Sequence, residues 1–127
     1  MSNTIFRFRE FPVYNDARKF RADLKKLSKE KFPSEEQYIL RRQLWRALDS
    51  IILNIAEGAD KHSDKDFSHY LNHALGSINE VIGCLDCALD DYYIEITEHK
   101  RYLEQAENII KQLKAFISKL RKDDKRF

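Results

Sequence analysis

At 127 residues the chain is long enough for one domain that buries a modest core without disulfide or metal staples. With 35% charged and 43% hydrophobic residues but three Gly and two Pro, it excludes an all-β protein, whose turns need those residues. A formal net charge of +2 is too balanced to announce a nucleic-acid protein by itself, and the composition favours long helices with charged outer faces.

Taken in chain order, "VYNDARKFRADLKKLSKEKF" sets Ala17, Phe20, Leu24 and Leu27 at helical spacing and predicts a first helix over 13–31. Phe32-Pro33 ends it, because proline disfavours a helical predecessor. Ser34 with Gln37 reads as a capping box opening a second helix over 35–57, whose stripe is Leu40, Leu44, Ala47, Leu48, Ile51 and Ile55. Gly58 is placed to supply a left-handed residue that closes it. Ser63 followed by Asp66 caps a third helix over 64–90, with the stripe Phe67, Tyr70, Leu71, Ala74, Ile78, Val81, Leu85 and Ala88. "DDYYIEIT" breaks the pattern. Thr97 then caps a fourth helix over 98–122, carrying Leu103, Ala106, Ile110, Leu113, Ile117 and Leu120.

Helices of about 30–40 Å, at about 1.5 Å per residue, joined by short loops make antiparallel neighbours. The expected fold is all-α: an up-down-up-down antiparallel four-helix bundle forming a single domain, 1–127. The second helix is apolar nearly all round. Trp45, Ile52, Leu53 and Ala56 fall opposite or beside its core stripe, which predicts a subunit interface through that helix.

A polar row runs beside the same stripe. Gln43, Arg46, Ser50, Asn54 and Glu57 step by three and four residues. Folding the third helix back antiparallel sets His73, Ser77 and Glu80 opposite them. Glu80 offers a carboxylate to the Arg46 guanidinium, and Gly76 lets the two helices approach. The row therefore predicts a polar seam that fixes helix register.

These residues carry a resemblance. "FPSEEQYILRRQLWRALDSIILNIAEGADK" followed by "DFSHYLNHALGSINEV" resembles the family of small four-helix-bundle proteins encoded in intervening sequences of bacterial 23S rRNA genes, often labelled ribosomal-protein-like. The NIAEG and GSxxE elements are its most specific parts, and "FREFPVYNDARKF" is similar to the family's N-terminal stretch. Trp45 and Leu48 stand where smaller or polar residues are usual. The resemblance implies a homo-oligomeric, pentameric ring, in a family with no established enzymatic activity. More distantly, the chain is similar to the accessory variability protein of diversity-generating retroelements, a pentameric barrel that binds nucleic acid and partners a reverse transcriptase.

Catalytic and metal motifs are weak. His69 and His73 have the i, i+4 spacing of zinc ligands, but the base of a metalloprotease helix is absent. Cys84-Leu-Asp-Cys87 is a lone CxxC inside an apolar helix, better read as packed side chains. Ser50 opposite His73 is a nucleophile–base pair with no carboxylate to orient the imidazole and no oxyanion donors. No arginine is followed by histidine at ribonuclease spacing, and no Glu-xx-His pair suggests a di-iron core. The expectation is no catalysis, no metal and no cofactor. No leader pattern follows Met1 and no apolar run spans a bilayer, so the reading is a cytoplasmic protein with reduced thiols and no membrane partner.

Charge is unevenly spread. The first helix holds Arg18, Lys19, Arg21, Lys25, Lys26, Lys29 and Lys31 against Asp23 and Glu30, while 86–98 holds five acids and no base. In an up-down bundle Arg7, Arg9, Lys61, Lys65, Lys119, Arg121, Lys122, Lys125 and Arg126 share one pole. Lys61, Lys65, Lys119, Arg121, Lys122, Lys125 and Arg126 are the nucleic-acid candidates, acting on the phosphate backbone with weak sequence preference. Two readings stand: a non-catalytic ring that binds RNA or DNA, or a structural or protein-interaction assembly whose charges only solvate it.

Overall fold

The computed structural model describes residues 5–123 and holds four long helices: α1 Pro12–Lys31, α2 Leu40–Ala59, α3 Asp64–Asp90 and α4 Ile96–Asp123. Among the described residues there is no strand. A 3₁₀ turn, Arg7–Glu10, precedes α1, and another, Ser34–Glu36, lies before α2. Each helix packs on its two neighbours, α1 on α2 and α4, and α3 on α2 and α4, with α2 against α3 the most extensive contact.

The hydrogen bonds give the direction. Arg21 meets Asp49 while Ser28 meets Trp45; Gln43 meets Glu80 while Ser50 meets Ser77; Asp16 meets Gln112 while Asp23 meets Gln105. As one number rises its partner falls, so neighbouring helices are antiparallel, as the short loops required.

The core follows the apolar spacing. Phe20, Leu24, Leu44, Leu48, Ile51, Ile55, Leu71, Ile78, Leu85, Ile109 and Leu113 are almost fully buried. In α4 the buried stripe runs through Tyr102, Ala106, Ile109, Leu113 and Leu120, leaving Leu103, Ile110 and Ile117 only half-buried. The Ile109-Ile110 pair is ambiguous by spacing alone, and packing against α1 and α3 decides it.

Four local expectations are corrected. The α2 capping box does not form: residues 34–39 stay outside α2, and Glu36 Oε1 instead accepts from the Leu40 N–H at 3.4 Å. Gly58 is not a left-handed terminator, since no glycine has positive φ and α2 continues to Ala59. A Cβ on Gly58 would stand 2.7 Å from Tyr70 Cβ, whereas one on Gly76 would meet nothing within 4 Å. Gly58, not Gly76, is therefore where α2 and α3 approach. Thr97 lies inside α4, and the start is held by the Glu95 N–H donating to Glu98 Oε1 at 2.9 Å. Ser63 does cap α3, its Oγ accepting from the Asp66 N–H at 3.1 Å.

The α3–α4 elbow closes without glycine. The Tyr93 N–H reaches Ala88 O and the Tyr92 N–H reaches Leu89 O, the two bonds of a Schellman end, with Tyr92 left-handed at φ 63°. No helix among the described residues is long and apolar enough to cross a membrane.

Candidate functional site

The polar row of α2 divides into three parts. At its centre Ser77 Oγ donates to Ser50 Oγ at 2.8 Å, and Asn54 Nδ2 donates to Ser50 O at 2.8 Å and Ser50 Oγ at 3.0 Å. Towards the start of α2, Gln43 Nε2 donates to Glu80 Oε2 at 2.9 Å. Glu57 turns to Lys61, just past the end of α2, at 3.0 Å. Arg46 is exposed and makes no hydrogen bond or ion pair with Glu80, which corrects the expected guanidinium–carboxylate pair. The shorter Gln43, one turn earlier, takes that carboxylate.

His73 does not face Ser50. Its Nε2 lies 3.2 Å from His69 Nε2, with the two rings edge to face. The Ser50–His73 pair is thus not assembled, and among the described residues no group of three His, Cys, Asp or Glu side chains is placed to hold a metal. Cys84 is buried and Cys87 exposed, both free; burial pushes the Cys84 thiol up to about 11. That is the opposite of an activated thiolate.

At the pole where α1 and α3 begin and α2 and α4 end, the basic residues take different roles. Arg7 Nη2 donates to Ala59 O at 2.9 Å, and its guanidinium lies over Phe11 and Phe67, so it closes the C-terminal end of α2. Lys61 is engaged with Glu57 and lies 5.0 Å from the Tyr70 ring centroid; the Glu57 hydrogen bond raises its pKa. Lys65 at the start of α3 and Arg121 in the last turn of α4 line one open concavity of about 400 Å³ with Asp66, Ser68, His69 and Asn72. Lys119 and Lys122 are exposed on the same last turns of α4. Lys125 and Arg126 lie outside the described residues.

The apolar outer side of α2 is partly covered from within the chain. Trp45 donates its Nε1–H to Ser28 Oγ at 2.9 Å, and Lys25 and Lys29 lie 4.7 and 5.3 Å from its ring, so it fills the groove against α1. Ile52 packs against the core. Ala56 and the exposed Leu53 line a concavity of about 570 Å³ with Ile5, Phe6 and Phe8 from the N-terminal segment. Leu53 is 65% and Ile5 80% exposed, so an apolar patch remains, moved towards the pole.

The far end of α2 was not singled out by sequence. Arg41, Arg42 and Arg46 line a further concavity with Tyr38 and Trp45, above Asp49, which Arg21 Nε and Lys25 Nζ hold at 2.7 and 2.9 Å. The available signal was Tyr38, Arg42, Trp45, Arg46 and Asp49 at spacings of three, four and one, one helical face apart from the core. Spacing sorts Trp45 with the apolar residues and Arg46 with the polar row, which hides this face.

Residues 9–115 match the model of the family described as 23S rRNA-intervening sequence protein. Among solved structures, a protein with unknown function from the S23 ribosomal protein family of Bacteroides thetaiotaomicron is 25% identical, with a TM-score of 0.72 over 83% of this chain and 97% of that one. No curated protein matches the chain.

Proposed function

The chain belongs to the 23S rRNA-intervening sequence protein family, and on that premise we propose that it acts by binding, as a non-catalytic four-helix bundle whose basic pole contacts the phosphate backbone of RNA or DNA. The observation that carries this reading is the shared concavity of Lys65 and Arg121, with Lys119 and Lys122 exposed beside it. Cations brought together from two helix ends raise the local potential more than the net charge of +2 suggests. The polar groups best able to act as nucleophile and base are spoken for: Ser50 by Ser77 and Asn54, and His73 by His69.

The bundle is further proposed to work as a homo-oligomer joined through the patch of Ile5, Phe6 and Leu53, with the ring of five carried over from the family resemblance. That patch also supports a second reading, a protein-interaction assembly with no nucleic-acid binding of its own. The test is affinity of the purified protein for generic RNA and DNA, duplex and single-stranded, across a salt series, with native mass measured in the same buffers. The expected result is affinity falling steeply with salt. The Lys65→Ala, Lys119→Ala, Lys122→Ala variant should bind more weakly at unchanged mass, with the salt slope reduced by about one for each phosphate no longer neutralised. No binding at low salt removes this reading in favour of the second.

A further inference from the structure

α2 begins with positive charge where a helix least favours it. Arg41 and Arg42 stand in its first turn, beside N–H groups that already carry partial positive charge, and no acid lies in that turn. Arg46 follows one turn later. All three line a concavity of about 400 Å³ with Tyr38, Trp45 and Asp49. Two of the nearby carboxylates already have partners. Asp49 is held by Arg21 and Lys25, and Glu36 accepts from the Tyr93 hydroxyl at 2.7 Å and the Leu40 N–H.

The arginines themselves are short of partners. Arg41 Nη2 reaches Phe32 O at 3.3 Å, but its Nε is buried with no hydrogen-bond acceptor. Arg42 and Arg46 are exposed and make no hydrogen bond or ion pair among the described residues. Tyr38 is 77% exposed, with no ring contact among them. An uncovered aromatic ring amid three guanidinium groups at a helix N-terminus presents anion donors and a stacking face together.

We propose that this face of α2 binds a single-stranded nucleic acid, with Arg41, Arg42 and Arg46 on successive phosphates and Tyr38 stacked on an unpaired base. It rests on the reading of the chain as a nucleic-acid binder, but uses residues at the other end of α2 from Lys119 and Lys122, about 30 Å away along a helix of 20 residues. A duplex keeps its bases stacked inside and has none to offer Tyr38, so the preference is for single strands.

The experiment titrates fluorescein-labelled oligouridine, oligothymidine and a duplex of equal length into wild type, Tyr38→Ala, Tyr38→Phe, the Arg42→Ala, Arg46→Ala variant and the Lys119→Ala, Lys122→Ala variant. Anisotropy is read alongside emission from Trp45, with melting curves and native mass for each protein. Tyr38→Ala should weaken single-strand binding about tenfold with duplex binding unchanged, and Tyr38→Phe should retain it. The arginine variant should weaken single strands at least as much and abolish the Trp45 response. Unchanged single-strand affinity in both variants, at wild-type melting temperature, overturns the site; if the lysine variant then binds no nucleic acid, the basic pole alone survives as the binding surface. A change of native mass in the arginine variant shows instead an interface between copies and also overturns it. Absence of all binding by wild type removes both.

Discussion

Gly58 and Tyr70 set the spacing of α2 and α3 at the pole, because a Cβ on Gly58 would lie 2.7 Å from Tyr70 Cβ and 3.0 Å from Phe67 Cδ1. Tyr70 Cβ is fixed to the α3 backbone, so no rotamer change relieves the clash. Alanine would gain about 0.5–1 kcal/mol of helix propensity but incur overpacking of about 1–3 kcal/mol. Overpacking wins, and Gly58→Ala should destabilise the protein by about 1–2 kcal/mol. Gly76→Ala meets open space and should stabilise it by about 0.5–1 kcal/mol. Urea midpoints of the two variants should move in opposite directions, and a midpoint for Gly58→Ala that rises with that of Gly76→Ala would refute the close approach at Gly58.

That contrast also marks the limit of sequence reading. Periodicity located four helices and most of their core faces, because spacing of three and four residues reports burial on one side directly. It could not tell which glycine sits at a helix crossing, since that depends on interaxial distance rather than pattern. Termini were displaced for a similar reason. Ser34 and Gln37 match a capping box, yet Glu36 holds the Leu40 N–H while its other oxygen receives Tyr93 from the α3–α4 elbow, a contact of 57 residues' separation. The polar row was legible as a row, but side-chain length decided its pairings: Gln43 reaches Glu80, and Arg46 is left facing solvent beside Arg42. The cationic concavity was illegible because it joins residues that periodicity sorts into separate classes.

Tyr92 ends α3 in a conformation that favours glycine. At φ 63° its Cβ crowds the following backbone, at a cost of about 1–2 kcal/mol, while 93% exposure means its ring contributes little burial. Tyr92→Gly should therefore relieve that strain without opening a cavity. Part of the gain is offset by the greater freedom of glycine in the unfolded chain, leaving a net stabilisation of about 0.5–1 kcal/mol. The check is a higher urea midpoint at unchanged m-value. A lower midpoint would mean that the tyrosine ring contributes packing that its exposure hides.

Asp49 links α1 to α2 through charge and should make that junction sensitive to acid. Its partial burial alone would raise its pKa, but hydrogen bonds from Arg21 and Lys25, with the attraction of both cations, outweigh this and lower it below the ordinary 3.8. A carboxyl whose pKa is depressed on folding contributes stability that is complete above its unfolded value and is lost as pH falls through its folded one. With the Asp49 side chain 44% exposed, solvent screening keeps the contribution to about 0.2–1 kcal/mol. Asp49→Asn should be less stable than wild type near neutral pH. The difference should narrow below 3.8 as wild-type Asp49 takes up its proton. Raising the salt at neutral pH should narrow it as well, because exposed charges are screened. Urea denaturation of both proteins across this acid range reads the effect directly. A gap between them that stays constant with pH and salt would assign the loss to altered hydrogen-bond geometry at Arg21 and Lys25 rather than to the ion pair.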